Sequence, residues 1–402
     1  MKRLSHACMA TLLCLGVSSA QANDNPISNR QALLDGPGTA KQKLRDSGVD
    51  LDLRYTNFQQ NLSGATDGNG SQNGGRGDLV MNFDGEKLGL WKGFSVNLRH
   101  TMVHGQANFN RGFGQNGVLL PYNTAMVFPR ENETSLNVTQ KFNDTVSISA
   151  GKFDMFALSE AAPLQGGSGM DTFTNLGIAA AINGLVSPYT TGVMLNVNTS
   201  KALMSFMVYD PRNTQGDNGR PISHTFEDGT SAMANITLPI SIAGRMGYHT
   251  FNATASDQKH PNLRTGEPVN RRWFGGYSFQ QFLQHDADDP SKGWGLFGRI
   301  GVTDRNPNFI ARHFMLGIGG NNLMQGRKDD MWGVAYAAYD LSHEIVDPTW
   351  PTAIRNEQMA EAYYNFAVFP WLRVSPNVQL VRPLDRSRND EVVLGIRTQL
   401  RF

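Results

Sequence analysis

The stretch that decides the fold is VVLGIRTQLRF, residues 392–402. Val392, Leu394, Ile396, Thr398, Leu400 and Phe402 share one parity, and Val393, Gly395, Arg397, Gln399 and Arg401 share the other. Alternation with a period of two marks a strand with one apolar face and one polar face. Chain ends usually fray into water. An edge strand of a soluble sandwich is one home for this pattern. A transmembrane β-barrel is a better one, because each of its strands shows one face to lipid and one to water.

The opposite end of the chain favours the barrel. Residues 1–22 read as an export signal: Lys2 and Arg3 precede the apolar run ACMATLLCLGVSSA, and Ala20-Gln21-Ala22 is a small-x-small cleavage site. Leu13 before Cys14 is too large for a lipoprotein-type cut. Cys8 and Cys14 both fall inside this signal, so the remaining 402 − 22 = 380 residues carry no cysteine and no disulfide framework. Removing Lys2 and Arg3 leaves 36 − 2 = 34 basic against 35 acidic residues. That balance argues against nucleic acid as a partner. Past the signal, no run of about 18 apolar residues offers a membrane helix. A closed barrel is then the one way into a bilayer, since it pairs every backbone group.

The rest of the chain divides accordingly. Residues 23–48 form a short periplasmic segment in which GTAKQKLRDSG predicts a helix, and residues 49–402 form the barrel. Sixteen segments have strand character. They lie near 49–60, 77–88, 93–104, 133–142, 145–153, 190–199, 201–210, 231–240, 243–252, 270–282, 293–303, 311–323, 331–341, 357–368, 371–381 and 392–402. The odd-numbered connections are long, as at 61–76, 105–132 and 154–189. The even-numbered ones are short, as at Asn143-Asp144, Ser200 and Pro370. Short periplasmic turns alternating with long extracellular loops are the rhythm of an outer-membrane barrel. The connection 283–292 is long for a periplasmic turn. Trp91, Trp273, Trp294, Trp332, Trp350 and Trp371 sit at strand ends, where interfacial girdles belong.

With these segments laid out, the chain resembles the carbohydrate-selective porin (OprB) family. The resemblance is densest in GWGLFGRIGVTDRNPN (293–308), GRKDDMWGVAYAAYDLS (326–342) and residues 361–402. GKFDMF (151–156), YDPRN (209–213) and LRDSGVDLDLRYT (44–56) support it. The family implies a sixteen-stranded outer-membrane barrel of Gram-negative cells, through which glucose-like mono- and small oligosaccharides diffuse passively. It also implies one long loop folded into the lumen, here 154–189, whose stretch GIAAAINGLVSPY is unusually apolar.

The polar parity supplies the candidate residues. Arg54, Arg99, Arg299, Glu361 and Arg397 are expected along the sugar path, because guanidinium and carboxylate groups each present two aligned hydrogen-bonding sites to vicinal hydroxyls. Asp154 and Asp171, at the edges of the longest loop, are candidates to anchor it to wall arginines. Arg327, Asp329 and Asp330 read as a charged cap on a periplasmic turn. Phe402 is the candidate signal for the barrel-insertion machinery. Further expected partners are outer-membrane lipid and, in the assembly, either no second copy or two, a monomer or a homotrimer.

Other functions find less support. The histidines are scattered, and His100 and His104, though spaced H-x-x-x-H, fall on a strand rather than a helix. No G-x-S-x-G and no P-loop occurs. No cofactor and no metal is expected. The alternatives that stay open are a general or anion-favouring porin, because the inward parity is rich in arginine, and more remotely a barrel hydrolase.

Overall fold

The computed structural model describes residues 27–402 apart from 64–69, 107, 111–113, 115–116, 127–131, 160–161, 167–169, 215–223, 287–288, 290, 322, 325 and 347–352. The export signal expected at 1–22, and Trp350, lie outside the described residues.

Sixteen antiparallel strands close into one barrel. They are β1 Val49–Leu62, β2 Ser71–Asp84, β3 Phe94–Gly105, β4 Asn132–Lys141, β5 Val146–Asp154, β6 Tyr189–Asn198, β7 Leu203–Tyr209 and β8 Ser231–Ile242. The second half comprises β9 Arg245–Ser256, β10 Arg272–His285, β11 Gly293–Thr303, β12 Ile310–Asn321, β13 Met331–Leu341, β14 Glu357–Phe369, β15 Leu372–Arg382 and β16 Glu391–Arg401. Each strand pairs with its sequence neighbours, and β16 pairs with β1 from Arg54↔Arg401 to Leu62↔Val393, which closes the wall. All sixteen expected segments are present.

Four boundaries differ from the sequence reading by three residues or more, with β2 ending at Asp84 and β9 running on to Ser256. β2 starts at Ser71, because the glycine-rich run behind it pairs with β1 as far as Asn61↔Ser71. β10 runs on to His285, which shortens the doubtful connection to 286–292. A two-residue ladder, His260–Pro261 with Pro268–Val269, stands outside the barrel.

The alternation sorts the side chains as a barrel requires. On the outer face Ile300, Leu380, Leu394 and Ile396 are each more than half exposed, whereas Phe297, Arg299, Gln379 and Arg397 on the opposite parity are buried. Of the tryptophans, Trp91 and Trp371 lie in the short turns at one end of the barrel, Trp294 and Trp332 begin strands at that same end, and Trp273 begins β10 at the other. Four aromatic anchors thus mark one rim.

The helix expected before the barrel runs from Ala40 to Asp46, with Thr39 capping it by accepting the Gln42 amide at 3.3 Å. Its Lys41 is buried, donates to the Phe402 carbonyl at 2.7 Å and pairs with Asp35 at 3.1 Å. Leu33 donates to the Arg401 carbonyl, and Phe402 to the Leu53 carbonyl. The segment therefore lies against the seam where the last strand meets the first.

Candidate functional site

Two connections fold into the barrel. The expected one joins β5 to β6, residues 155–188. A second, joining β3 to β4 over 106–131, accompanies it and was not anticipated from sequence. Phe173, Leu176 and Ile178 of the former and Val118, Leu120 and Tyr122 of the latter are fully buried. They form one cluster with Phe297, Met315, Ala337, Met359 and Tyr363 of the inner wall. The two loops also bond to each other, Thr124 donating to the Thr174 carbonyl at 2.8 Å and Leu176 to the Pro121 carbonyl at 3.0 Å.

Glycines on the wall and on the loop make room for this packing. A Cβ on Gly333 would stand 2.7 Å from the Phe173 ring, and one on Gly177 would stand 2.8 Å from the Met359 sulfur and 2.9 Å from Leu120. Contacts that close force a shift: a Cβ at Gly333 would press on the packed Phe173 and Tyr363 rings, and one at Gly177 would displace the ends of Met359 and Leu120.

A loop buried inside a barrel must find partners for its backbone amides and carbonyls. The charged residues of the wall supply them. Glu361 accepts from the Thr174 amide, the Thr174 hydroxyl and the Asn175 amide, all at 2.8 Å. Asn175 in turn caps the one-turn helix Leu176–Ala179. At the far end of that turn Arg299 donates to the carbonyls of Ile178 (3.0 Å), Gly177 (2.5 Å) and Ala180 (2.6 Å), beside the Tyr339 hydroxyl on Gly177 (2.9 Å). One carboxylate and one guanidinium thus satisfy the two ends of the turn.

The other candidates sit nearby. Arg397 donates to the Thr172 carbonyl at 2.7 Å and to Ser375 at 3.1 Å. Asp171 stands 3.2 Å from Arg401 and 3.6 Å from Arg54. Burial works to raise the Asp171 pKa, but Arg54, Arg401, Arg373 and Arg397 outweigh it and hold the carboxyl below the usual aspartate range. Among the described residues Asp154 forms no ion pair, although Arg76 and Arg99 act on it through their field. It accepts from the Phe156 and Ala157 amides at 3.0 and 3.2 Å and from the Tyr189 hydroxyl at 3.4 Å, which fixes the first turn of the loop. Arg99 lies on β3 between Val80 and Ser135, on the same face as Thr101 and its neighbours Arg76 and Asp78.

Sequence reasoning missed the residues that hold the other loop. Glu357 accepts the Leu119 and Leu120 amides at 2.6 and 2.9 Å. Glu391 accepts from the Tyr122 hydroxyl, and Gln379 donates to the Tyr122 carbonyl at 3.0 Å. Burial and the Glu391 carboxylate push the Tyr122 phenol above its ordinary range, so it stays a donor. The available signal was the spacing E-x-x-x-E in Glu357–Glu361, two carboxylates on one inward parity.

Across from the loops the lumen stays open. A cavity of about 1110 Å³ lies between Ala179–Ala181, Ile182, Leu185 and Val186 on the loop side and the wall of β8–β11 on the other. That wall contributes Asn235, Thr237, Thr250, Asn252, Ser278 and Gln280. Thr237 and Thr250 bond to each other at 2.8 Å, and Gln280 accepts the Leu164 amide at 2.7 Å. Among the described residues no cluster of His, Cys, Asp or Glu is arranged to hold a metal. His100 contacts Thr134 at 2.8 Å and His104 contacts Tyr55 at 3.0 Å.

Comparison with known proteins follows the same lines. The profile of the carbohydrate-selective porin, OprB, family matches residues 68–402. The chain belongs to this family. Porin B of Pseudomonas aeruginosa is 26% identical over 187 residues, a stretch that spans 39% of this chain and 40% of that protein. The high-pH structure of Pseudomonas putida OprB superposes with a TM-score of 0.80 at 19% identity, covering 93% of this chain and 99% of that one. Pseudomonas aeruginosa OpdK with vanillate reaches 0.51 at 10% identity, covering 88% and 99%. At such identities the structural likeness concerns the fold. Membership of a porin family and a closed barrel imply the outer membrane and a channel.

Proposed function

We propose that this chain is an outer-membrane porin that passes carbohydrates passively, glucose-like monosaccharides and small oligosaccharides among them. One observation carries the reading: a lumen cavity with neutral hydrogen-bonding groups of β8–β10 on one side and loop hydrocarbon on the other, Arg212, Arg272 and Arg299 also being in its lining. A sugar has hydroxyls at its edge and an apolar ring face, and this pair of walls matches both. Asn and Gln donate and accept, while Thr and Ser adapt by rotation. Neutral groups hold a hydroxyl loosely, and a pore must release what it binds.

In this reading Arg299, Glu361 and Arg397 act on the path indirectly. They fix the inward loop, and the loop sets the width. Asp171 and Asp154 hold its two ends, with Arg54 on Asp171. Arg99 supports the field of the opposite wall. Residues 1–22 serve as the export signal, 23–48 stay on the periplasmic side, and Phe402 marks the terminal strand for insertion.

Liposome swelling with glucose, a disaccharide and a trisaccharide tests the function. Entry that falls with size, with sugar block of single-channel current, is the expected result. Swelling no different from empty liposomes contradicts it. For Phe402, deletion is expected to reduce the heat-modifiable folded form while leaving the conductance of the surviving barrels unchanged.

A further inference from the structure

The wall of the open lumen carries charge of one sign. Arg212, Arg272 and Arg299 line it together with His260 and His313, and among the described lining residues there is no aspartate or glutamate. Arg212 is neutralised, since its guanidinium lies 2.6 Å from the buried carboxylate of Asp210. The other two arginines differ. Every partner found for them among the described residues is uncharged: the Gly184 carbonyl for Arg272 (2.6 Å), and three loop carbonyls and the Tyr339 hydroxyl for Arg299.

Arg272 has capacity to spare. Its side chain is 6% exposed, its Nε is buried without a partner, and it borders the cavity. The neighbouring acid, Asp304, accepts the Trp273 amide at 3.2 Å and reaches Arg272 only through its field, with no hydrogen bond or ion pair to it among the described residues. Arg272 opens β10 at the extracellular end, whereas Arg299 lies deeper, in register with Ser278. The path therefore runs from an arginine at its mouth, past a ladder of neutral groups, to the field of a second arginine.

We propose that the mouth of this lumen is a subsite for acidic sugars, carbohydrates that bear a carboxylate, with Arg272 as the residue that meets it. The inference rests on the porin reading and narrows its substrate class. A guanidinium matches a carboxylate with two parallel hydrogen bonds. The hydroxyls of the same solute then meet Asn252, Ser278 and Thr250. Arg299, whose two terminal nitrogens are committed to the loop and whose Nε is buried, contributes charge alone, and positive charge without an ion-pair partner along a low-dielectric passage raises the local concentration of anions. One arginine at the mouth binds weakly enough for the solute to move on.

The test is flux into liposomes holding the full-length barrel, with glucose, glucuronate and glucosamine as probes. Wild type is compared with Arg272→Gln and Arg272→Lys, each checked for the heat-modifiable folded form. Wild type is expected to admit glucuronate at least as fast as glucose and about fivefold faster than glucosamine, a ratio that shrinks as salt screens the charge. Arg272→Gln is expected to slow glucuronate about fivefold and to leave glucose within about twofold, and lysine to restore part of the loss. Glucuronate slower than glucose, and unmoved by Arg272→Gln, overturns the subsite and leaves the neutral-sugar porin standing. Exclusion of all three probes overturns both.

Discussion

The two halves of the lumen divide the work. From β11 through β16 to β1, the inner wall is charged; Glu357, Glu361, Arg299 and Arg397 are bonded to loop backbone, and Arg54 and Arg401 meet the loop's Asp171. From β8 to β10 the side chains that border the cavity are neutral apart from Arg272 at its mouth, and among the described neutral ones only Gln280 bonds to loop backbone. The difference teaches that an inward-facing charge in a barrel is not by itself a contact for solute. A loop inside a barrel brings in amides and carbonyls that water no longer reaches, and charged hydrogen bonds are the strong way to satisfy them. Groups suited to a transient neutral solute are the weaker, uncharged ones.

The largest expected effect breaks the charged half. Glu361→Ala leaves the Thr174 and Asn175 amides without their acceptor, each at a cost of about 1–3 kcal/mol. The loop is then expected to loosen, with single-channel conductance rising about threefold or more and discrimination between mono- and trisaccharides falling. Unchanged conductance and size selectivity would show that Glu361 does not hold the constriction. A smaller effect sharpens the neutral half. Asn252→Ala combined with Thr250→Val is expected to weaken sugar block of the current about threefold, since each lost hydrogen bond is worth about 0.5–1.5 kcal/mol. Open-channel conductance should move little; a large rise would place these residues in the loop's support instead.

The smallest effect belongs to neither half and serves as a control. Asp330, in the periplasmic turn, accepts from Tyr364 (2.7 Å) and the Ala367 amide (2.9 Å) and pairs with Arg327 at 2.5 Å. Burial works to raise its pKa, but Arg327, Tyr364 and Ala367 together hold it below the ordinary range. A depressed carboxyl stabilises the fold in full above its unfolded pKa of about 3.9 and loses that contribution as pH falls towards the folded value. Asp330→Asn should therefore lower thermal stability slightly at pH 7, with the gap to wild type closing below about pH 4 and no change in sugar flux at any pH. A gap that widens on acidification would reverse the sign and contradict the account.

The barrel was legible because period-two alternation and the long–short rhythm of connections are local signals. The site was legible only in part. Parity places Arg299, Glu361 and Arg397 inside, yet it cannot say which inward residues a loop will cover. Those contacts join residues far apart in the chain, Arg397 with Thr172 and Glu361 with Thr174, and no local pattern encodes them. The glycines and alanines of β13 (Gly333, Ala335 and Ala337) were the trace left in the sequence, small inward side chains opposite bulky outward ones. The entry of the second loop left less of a mark, since Pro121-Tyr122-Asn123-Thr124 reads as an ordinary turn.

The most direct test of the division uses the absence of cysteine beyond residues 1–22. Ser278→Cys places a thiol on the neutral wall, and Met359→Cys places one on the wall behind the loop. In liposomes a small water-soluble thiol reagent should modify Ser278→Cys rapidly, glucose should slow that reaction, and Met359→Cys should react far more slowly with no effect of sugar. Equal reactivity at the two positions, or no protection of Ser278→Cys by glucose, would contradict the claim that sugar passes between the fixed loop and the neutral wall.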